Sequence, residues 1–402
     1  MLKFKCLVTK LSCGFFKLYG MNKAKIELLP AQRRAVLQRI LAVSAAAMLP
    51  VLPVRAQSPK PWVLTQIVDT TMQQQDVSKD YLIGARAAWQ EINAKGGLLG
   101  RSVKHVSVET DGSTTSLRAA LDSAQNNPSC IALFGTAGDR AAQTLTSLLR
   151  TERSGLAHVA PWLQNTSSEL DDTSFTIFAD RQAQISHIVK SLSLVGTKEL
   201  GVIYASVQEY ELYAADVERI AKNMNIKLVT SPPSHDLKIV GQKLGATSPA
   251  VQLFVGGTPE LSELAKGLEQ QTLQRFVLAL ADVNLQTMKE LGATRKTPIF
   301  AAQTVPMVSS SLPVVRAYRV AMTKFFDEPP TPLSLAGYIA ARYTFEVLNK
   351  AGTGLNRQTA LAAFQKRESI DVGGFSVNYN ATQRGSQFVT QSMLTKDGYT
   401  LG

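Results

Sequence analysis

The sequence predicts an α/β protein whose parallel strands are covered by helices on both faces. Short apolar runs alternate along the chain with stretches in which apolar residues recur at helical spacing. Strands that alternate with helices imply right-handed crossover units and a parallel sheet. The 402 residues, of which 45% are hydrophobic, are enough for two domains with separate cores.

The first predicted unit consists of a strand, a polar loop and a long helix. The strand covers 63–68, and the polar loop runs over 69–78. The next stretch carries apolar residues on one face of a helix, at Leu82, Ala85, Trp89 and Ile92. Gly96 and Gly97 end this helix and let the chain turn into a second strand around 106–108.

The alternation continues through the middle of the chain. Helices over 117–124 and 141–149 flank the predicted strand Cys130–Phe134. A short strand is expected at 157–160, ahead of a polar loop that runs to 172. Further strands, each followed by a helical stretch, are expected at 200–204, 251–255 and 275–281. This run is long for one α/β domain, and a division near 175–182 is expected.

The C-terminal part has a different pattern. Two long helices are predicted at 313–326 and 333–348. They are followed by two short segments, 374–379 and 387–394, that favour antiparallel strands.

The N-terminal segment 1–56 has the features of a secretion signal. Arg33-Arg34 gives a basic region, and the apolar run over 40–52 that follows is short for a membrane span. A small-residue cleavage motif makes Gln57 the expected first residue of the mature chain. The arginine pair resembles a twin-arginine signal. The alternative is that the segment forms a buried N-terminal helix.

The net charge of +12 lies mainly in that segment. Ten lysines and arginines and one acidic residue fall within 1–56, which leaves a net charge of about +3 for 57–402. A nucleic-acid-binding protein needs positive charge on its folded domain, because phosphate contacts supply much of the affinity. The charge distribution therefore argues against a nucleic-acid partner.

Patterns typical of catalysis are missing from the sequence. The four histidines, at 105, 158, 187 and 235, have no zinc-ligand spacing. Neither a nucleophile elbow nor a phosphate-binding glycine loop occurs. Cys130 is the single cysteine after the signal, so it is expected to be a buried strand residue. We therefore expect no catalytic activity, no cofactor and no metal, and interpret the protein as a binding protein.

One stretch closely resembles a known family. Residues 84–101 read GARAAWQEINAKGGLLGR, which is similar to the first helix and turn of the leucine/isoleucine/valine-binding family. These are the type I periplasmic solute-binding proteins of ABC transporters. Similar landmarks follow in the family's order at 134–136, 160–170, 202–204, 253–257 and 335–341, so the resemblance covers roughly 62–402.

The resemblance implies two Rossmann-like lobes joined by three hinge crossovers, with the ligand between the lobes. The crossovers are expected near 178–182, 303–306 and 380–386. The expected lobe boundaries are 61–180 with 306–382 for the N-lobe, and 181–305 with 383–402 for the C-lobe.

The resemblance also implies a set of ligand-binding residues. They belong to loops at the carboxyl ends of strands, where ligands bind in open α/β sheets. The expected residues are Gln75, Val77, Thr136, Ala137, Gly138, Asp139, Trp162, Leu163, Gln164, Thr166, Tyr210, Gly257 and Asp282.

This predicted site departs from the family pattern. Asp139 falls where the family often carries a serine that binds a carboxylate, and Asp282 falls at or beside the acidic residue that pairs with an α-ammonium. Trp162, Tyr210 and Arg140 would suit a bulkier or aromatic carboxylate. The alternatives are that Trp162 and Tyr210 pack within the protein, that Asp139 caps a helix, and that Arg140 is solvated.

The function that follows from the resemblance is capture of a small amino-acid-like or carboxylate solute in the periplasm. Closure of the lobes would hold the solute for delivery to the permease subunits of an ABC importer. The alternative is a sensor that reports the bound solute to a separate regulatory or receptor partner.

Overall fold

The computed structural model describes residues 60–165, 172–292, 297–379, 384–395 and 400–401. The predicted signal segment 1–56 and the predicted ligand residue Thr166 lie outside these described residues.

Strands and helices alternate as the sequence predicts. The strands are β1 (Trp62–Asp69), β2 (Val103–Thr110), β3 (Cys130–Phe134), β4 (Ala157–Val159), β5 (Ser174–Phe175), β6 (Glu199–Tyr204), β7 (Lys227–Thr230), β8 (Val251–Val255), β9 (Phe276–Ala279), β10 (Ile299–Gln303), β11 (Ile370–Val372), β12 (Phe375–Val377), β13 (Thr390–Leu394) and β14 (Thr400–Leu401). The helices are α1 (Gln75–Ala94), α2 (Thr114–Asn126), α3 (Asp139–Glu152), α4 (Arg181–Leu194), α5 (Val207–Asn223), α6 (Leu237–Lys243), α7 (Thr258–Leu268), α8 (Leu285–Glu290), α9 (Pro313–Phe325), α10 (Pro332–Lys350) and α11 (Arg357–Gln365).

The first sheet has the strand order β2-β1-β3-β4-β5, and its pairs are parallel. Its strands are short apolar runs, and every residue of β3 is buried. This pattern fits a parallel sheet that is covered on both faces. Because parallel strands all end at the same edge, the loops that follow them gather there.

The second sheet has the order β14-β13-β10-β9-β8-β6-β7. The pairs among β6, β7, β8, β9 and β10 are parallel. Strand β13 pairs antiparallel with both β10 and β14. Strands β11 and β12 form a separate antiparallel pair, so the two predicted C-terminal segments belong to different sheets.

The chain passes between the two sides of the molecule three times. It leaves the first sheet after β5 and builds the parallel part of the second. Helices α9 to α11 then return, and Tyr318, Leu335 and Phe364 share one core with Tyr81 and Trp89 of α1. After β12 the chain enters the second sheet again as β13. The predicted α/β fold with two Rossmann-like lobes is thereby confirmed.

Helix α1 begins earlier than the sequence predicts. The expected polar loop over 69–78 was wrong in its second half, because the helix starts at Gln75. The backbone N–H groups of Gln74 and Gln75 both donate to the carbonyl of Thr71, which closes a turn ahead of the helix. Asp76 lies in the first turn, where a negative charge interacts favourably with the helix dipole.

Helices α1 and α10 cross at very close range. A Cβ atom at Gly84 of α1 would overlap the backbone carbonyl of Ser334. A Cβ atom at Gly337 of α10 would likewise overlap the carbonyl of Tyr81. The two glycines therefore permit a contact between helix backbones that larger residues would prevent.

An arginine connects two of the passages between the sheets. Arg384, which precedes β13, donates from Nη1 to the carbonyl of Leu163 at 2.9 Å and from Nη2 to the carbonyl of Asn165 at 3.0 Å. Its Nε lies 3.3 Å from Oδ2 of Asp180, the residue that caps α4. The first and third passages are thus held together beside the loop after β4.

In the parts of the chain that the structure describes, no helix combines the length and the apolar character that a membrane span requires.

Candidate functional site

A cavity of about 460 Å³ lies where the two sheets present the carboxyl ends of their strands. On the first side it is lined by the segments that follow β1, β2, β3 and β4. On the second side it is lined by the segments that follow β6, β8 and β9, together with the start of α4. This is the edge at which ligands bind in open α/β sheets.

Helix α3 presents Asp139 to the cavity. The preceding residue, Gly138, has a φ of 103°, and a Cβ atom there would lie 2.8 Å from Cβ of Asp69. Glycine is required by both the backbone angle and the close approach. The turn places Asp139 at the first position of α3, where it is 8% exposed.

The Asp139 carboxylate fixes the loop after β4. Its Oδ1 accepts hydrogen bonds from the backbone N–H groups of Gln164, at 2.6 Å, and Asn165, at 3.1 Å. The alternative that Asp139 caps its own helix was wrong, because the cap is Gly138 and the carboxylate binds this loop. Burial raises the pKa of the Asp139 carboxyl, while the nearby Arg181 acts in the opposite direction.

Arg181 is the centre of a buried charge cluster. It occupies the first position of α4, and its side chain is 6% exposed. Its Nη1 donates to Oε2 of Glu209 at 2.8 Å, and its Nε and Nη2 donate to Oδ2 of Asp282. Burial raises the pKa of the Glu209 carboxyl, although Arg181 opposes that shift. Pairing of this kind offsets the cost of burying the charges.

Trp162 connects the two sides of the cleft without lining the cavity. Its Nε1 donates to Oδ1 of Asp282 at 2.9 Å, and the residue is 1% exposed. Its ring packs against Tyr81 and Phe178, at centroid distances of 5.8 and 5.3 Å. This placement agrees with the alternative that Trp162 packs within the protein.

Three of the predicted ligand residues line the cavity, namely Asp139, Gly257 and Asp282. Within the described residues, the remaining predicted ones lie off its wall: Gln75, Val77, Thr136, Ala137, Gly138, Trp162, Leu163, Gln164 and Tyr210. Gln75 is exposed on α1, whereas Val77 points into the core at 1% exposure.

Two polar residues of the predicted set are engaged inside the protein. Thr136 Oγ1 lies 2.9 Å from Nε2 of the buried His158. Gln164 Oε1 accepts a hydrogen bond from Nε2 of Gln184 at 2.9 Å. Tyr210 makes an edge contact with the ring of Tyr204, at a centroid distance of 5.2 Å.

Several residues of the cavity wall were not predicted. Arg181 and Glu209 occupy the first turns of α4 and α5, and Glu260 occupies the first turn of α7. The sequence signal that could have found them is position, because each lies at the start of a helix that follows the carboxyl end of a strand or a crossover. Arg140, which was considered, also lines the cavity and is exposed.

The cavity has no metal-binding arrangement in the described ranges. There, no group of three or more histidine, cysteine, aspartate or glutamate side chains could hold a metal ion. The wall offers carboxylates, guanidiniums and amides, which suit hydrogen bonding and charge pairing with a small polar molecule.

Two sheets whose parallel strands end at a shared polar cavity form the two-lobed architecture that is typical of solute-binding proteins. The family model described as "Periplasmic binding protein" matches residues 65–396 of the chain. The chain therefore belongs to the periplasmic binding protein family, and the family predicted from residues 84–101 is confirmed. This membership implies a periplasmic location.

Solved structures share the fold. An extracellular ligand-binding receptor from Verminephrobacter eiseniae ef01-2 is 22% identical, with a TM-score of 0.76 over 85% of this chain and 100% of that chain. A fatty acid ABC transporter substrate-binding protein from Thermomonospora curvata is 17% identical, with a TM-score of 0.73 over 84% and 90%. The branched-chain amino acid transporter substrate-binding protein LivJ from Streptococcus pneumoniae, in complex with isoleucine, is 14% identical, with a TM-score of 0.70 over 85% and 98%. No curated protein matched the chain.

Proposed function

We propose that the protein is the substrate-binding component of an ABC importer, and that it holds a small amino-acid-like or other carboxylate solute between its lobes. The observation that carries this proposal is the cavity of about 460 Å³ between the strand ends of the two sheets. Its volume lies in the range of small-molecule sites, roughly 300–1,000 Å³.

The three passages between the sheets support binding by hinge closure. We propose that the lobes follow the predicted boundaries, 61–180 with 306–382 and 181–305 with 383–402, and that they rotate about these passages. Closure would exclude water from the cavity and strengthen its hydrogen bonds. The closed form would then deliver the solute to the permease subunits.

Export is part of the same proposal. The segment 1–56 would act as a secretion signal, with Gln57 as the first residue of the mature protein. An amino-acid-like ligand is supported by the isoleucine in the LivJ structure, and the fatty acid named for another relative supports the wider class of carboxylates.

The first test is a ligand screen with the purified protein. We expect at least one amino acid or small carboxylate to raise the melting temperature, because a ligand at 100 times its Kd stabilises the folded state by about 2.7 kcal/mol. Isothermal titration calorimetry then measures the affinity. Sugars and nucleosides serve as chemically distinct controls.

Uptake of the identified solute by cells that lack the gene tests the transport role. We expect slower uptake than in the parent strain, with recovery when the gene is restored. Binding without any change in uptake would contradict the importer role and favour a sensor. A screen in which no amino acid or carboxylate binds would contradict the proposed ligand class.

A further inference from the structure

The wall of the cavity is strongly acidic. Six carboxylates line it, from Asp69, Asp111, Asp139, Glu209, Glu260 and Asp282. Two guanidiniums, from Arg140 and Arg181, line it as well. Six carboxylates against two guanidiniums leave a formal excess of four negative charges, which favours a positively charged occupant.

One of the two arginines in the cavity wall is already paired within the protein. Arg181 is engaged with both Glu209 and Asp282, so it is not free to neutralise the other carboxylates. Hydrogen bonds from Ser116 and Ser113 lower the pKa of Asp111 to about 2, which keeps that group ionised at neutral pH. Arg140 is exposed and makes no ion pair within the described residues.

Two acceptor oxygens at the cavity are buried without a donor. Oε2 of Glu260 and Oε1 of Gln74 have no hydrogen-bond partner in the described parts of the chain. Both residues line the cavity, Gln74 from the first side and Glu260 from the second. A buried acceptor without a donor is destabilising, and more so when it is charged, so a ligand that donates to these oxygens gains affinity.

Gly257 keeps one of these oxygens, Oε2 of Glu260, clear of a neighbouring side chain. The position that a Cβ atom would take at this residue lies 3.0 Å from Oε2 of Glu260 and 3.7 Å from the backbone carbonyl of Gln73. A carboxylate oxygen and a carbonyl oxygen thus flank the uncovered backbone of Gly257. Neither can donate a hydrogen bond, so the complementary group is an N–H donor.

Donors for an anionic ligand are less available. The backbone N–H groups of Gln164 and Asn165 already donate to Asp139. The first turn of α3 carries the Asp139 carboxylate, which opposes binding of an anion at that helix end. The exposed Arg140 remains as a partner for a ligand carboxylate.

Resting on the proposed function, we propose that the solute is a small organic cation whose protonated amine or guanidinium donates to Glu260 and Gln74. Two kinds of solute share this chemistry. One is a basic amino acid, whose carboxylate would pair with Arg140. The other is an organic amine with the same cationic end but no carboxylate.

Calorimetry with matched ligands tests the proposal on the purified protein. Lysine and arginine are compared with cadaverine and agmatine, which have the same cationic ends without the carboxylate, and with leucine and glutamate. We expect at least one of the four cations to bind at least about tenfold more tightly than leucine or glutamate, because a hydrogen bond to a charged group strengthens binding by about that factor or more. Tighter binding of the amino acid than of its amine would indicate that Arg140 pairs with the ligand carboxylate. Tighter binding of the amine would indicate that the solute is an amine without a carboxylate.

A pair of glutamate variants on one helix provides the control. Glu260→Gln should weaken binding of the cation about tenfold or more. Glu263→Gln should leave it unchanged, because Glu263 lies off the cavity and pairs with Lys266 on the surface. Melting temperatures of both variants verify that they are folded.

The outcomes separate this inference from the proposed function. Tight binding of leucine or glutamate without binding of any cation would overturn the inference and leave the importer proposal in place. Equal effects of the two glutamate variants would overturn the assignment of the cation to Glu260. Failure of every amino acid and amine to bind would overturn the inference, and the proposed function would be overturned as well only if no other carboxylate bound.

Discussion

Among single residues, Asp282 has a central position because its two carboxylate oxygens serve different partners. Oδ1 accepts from Trp162, which follows β4 of the first sheet, and Oδ2 accepts from Arg181, which begins α4. Asp282 itself follows β9 of the second sheet and is 2% exposed. One buried carboxylate therefore holds together the loop, the helix start and the strand end that surround the cavity.

The contribution of the Trp162 hydrogen bond is measurable. Trp162→Phe keeps an aromatic ring in the core and removes the donor to Asp282. We expect a loss of about 1–3 kcal/mol in the free energy of unfolding, measured by urea denaturation, since a buried acceptor loses its partner. Trp89→Phe is the matched control, because the buried Nε1 of Trp89 has no partner among the described residues. Equal losses in the two variants would show that the hydrogen bond from Trp162 to Asp282 does not contribute to the free energy of unfolding.

Asp76 should give the protein a distinct pH dependence. Burial raises the pKa of this carboxyl to about 6, against the opposing hydrogen bonds from the Thr258 side chain and from the N–H of Val77. A folded-state pKa above the unfolded value of about 3.9 means that the folded protein binds the proton more tightly. Its stability therefore falls as the pH rises from about 4 to about 6, and the loss persists above pH 6.

Asp76→Asn should remove this loss of stability at higher pH. We expect the variant to be more stable than the parent protein at pH 7.5, by at most about 2–3 kcal/mol, and to approach it at pH 4. Loss of the charge from the first turn of α1 reduces the gain by up to about 1 kcal/mol. Melting temperatures across pH 4–8 measure the difference. A difference that does not change with pH would argue against a raised pKa.

At the level of secondary-structure elements, the crossing of α1 with α10 depends on glycine. Gly84→Ala would place a methyl group against the backbone of Ser334, which cannot move aside as a side chain can. We expect a loss of at least about 2 kcal/mol in the free energy of unfolding, because the two helices must separate. Gly245→Ala is the control, since the nearest atom to its new Cβ would be 4.0 Å away. Denaturant titration of both variants checks the result, and equal stabilities would contradict it.

Strand β3 and helix α1 show what the sequence could and could not predict. Buried parallel strands such as β3 are continuous apolar runs, and their positions follow from hydrophobicity alone. The start of α1 was missed because its first turn contains Gln75 and Asp76, polar residues that a loop would also contain. Polarity separates exposed from buried residues, but it does not separate an exposed helical turn from a loop.

At the scale of the whole molecule, the edge that forms the site was predictable and most of its contacts were not. The carboxyl ends of parallel strands identify the edge, and the resemblance to the family named Asp139, Gly257 and Asp282, which line the cavity there. Arg181 acquires its role from Glu209 and Asp282, which are 28 and 101 residues away. Periodicity reports local structure, and contacts across such distances depend on how the two lobes meet.

The return of α10 to α1 also determines when the protein can finish folding. Tyr338 of α10 donates a hydrogen bond to Glu91 of α1 across 247 residues. Contacts between such distant residues slow folding, because the entropy of closing the intervening chain must be overcome first. The apolar face of α1 leaves the ribosome long before α10 exists to cover it. During that interval the incomplete lobe is open to aggregation, so the nascent chain has most need of chaperones before its last quarter is made.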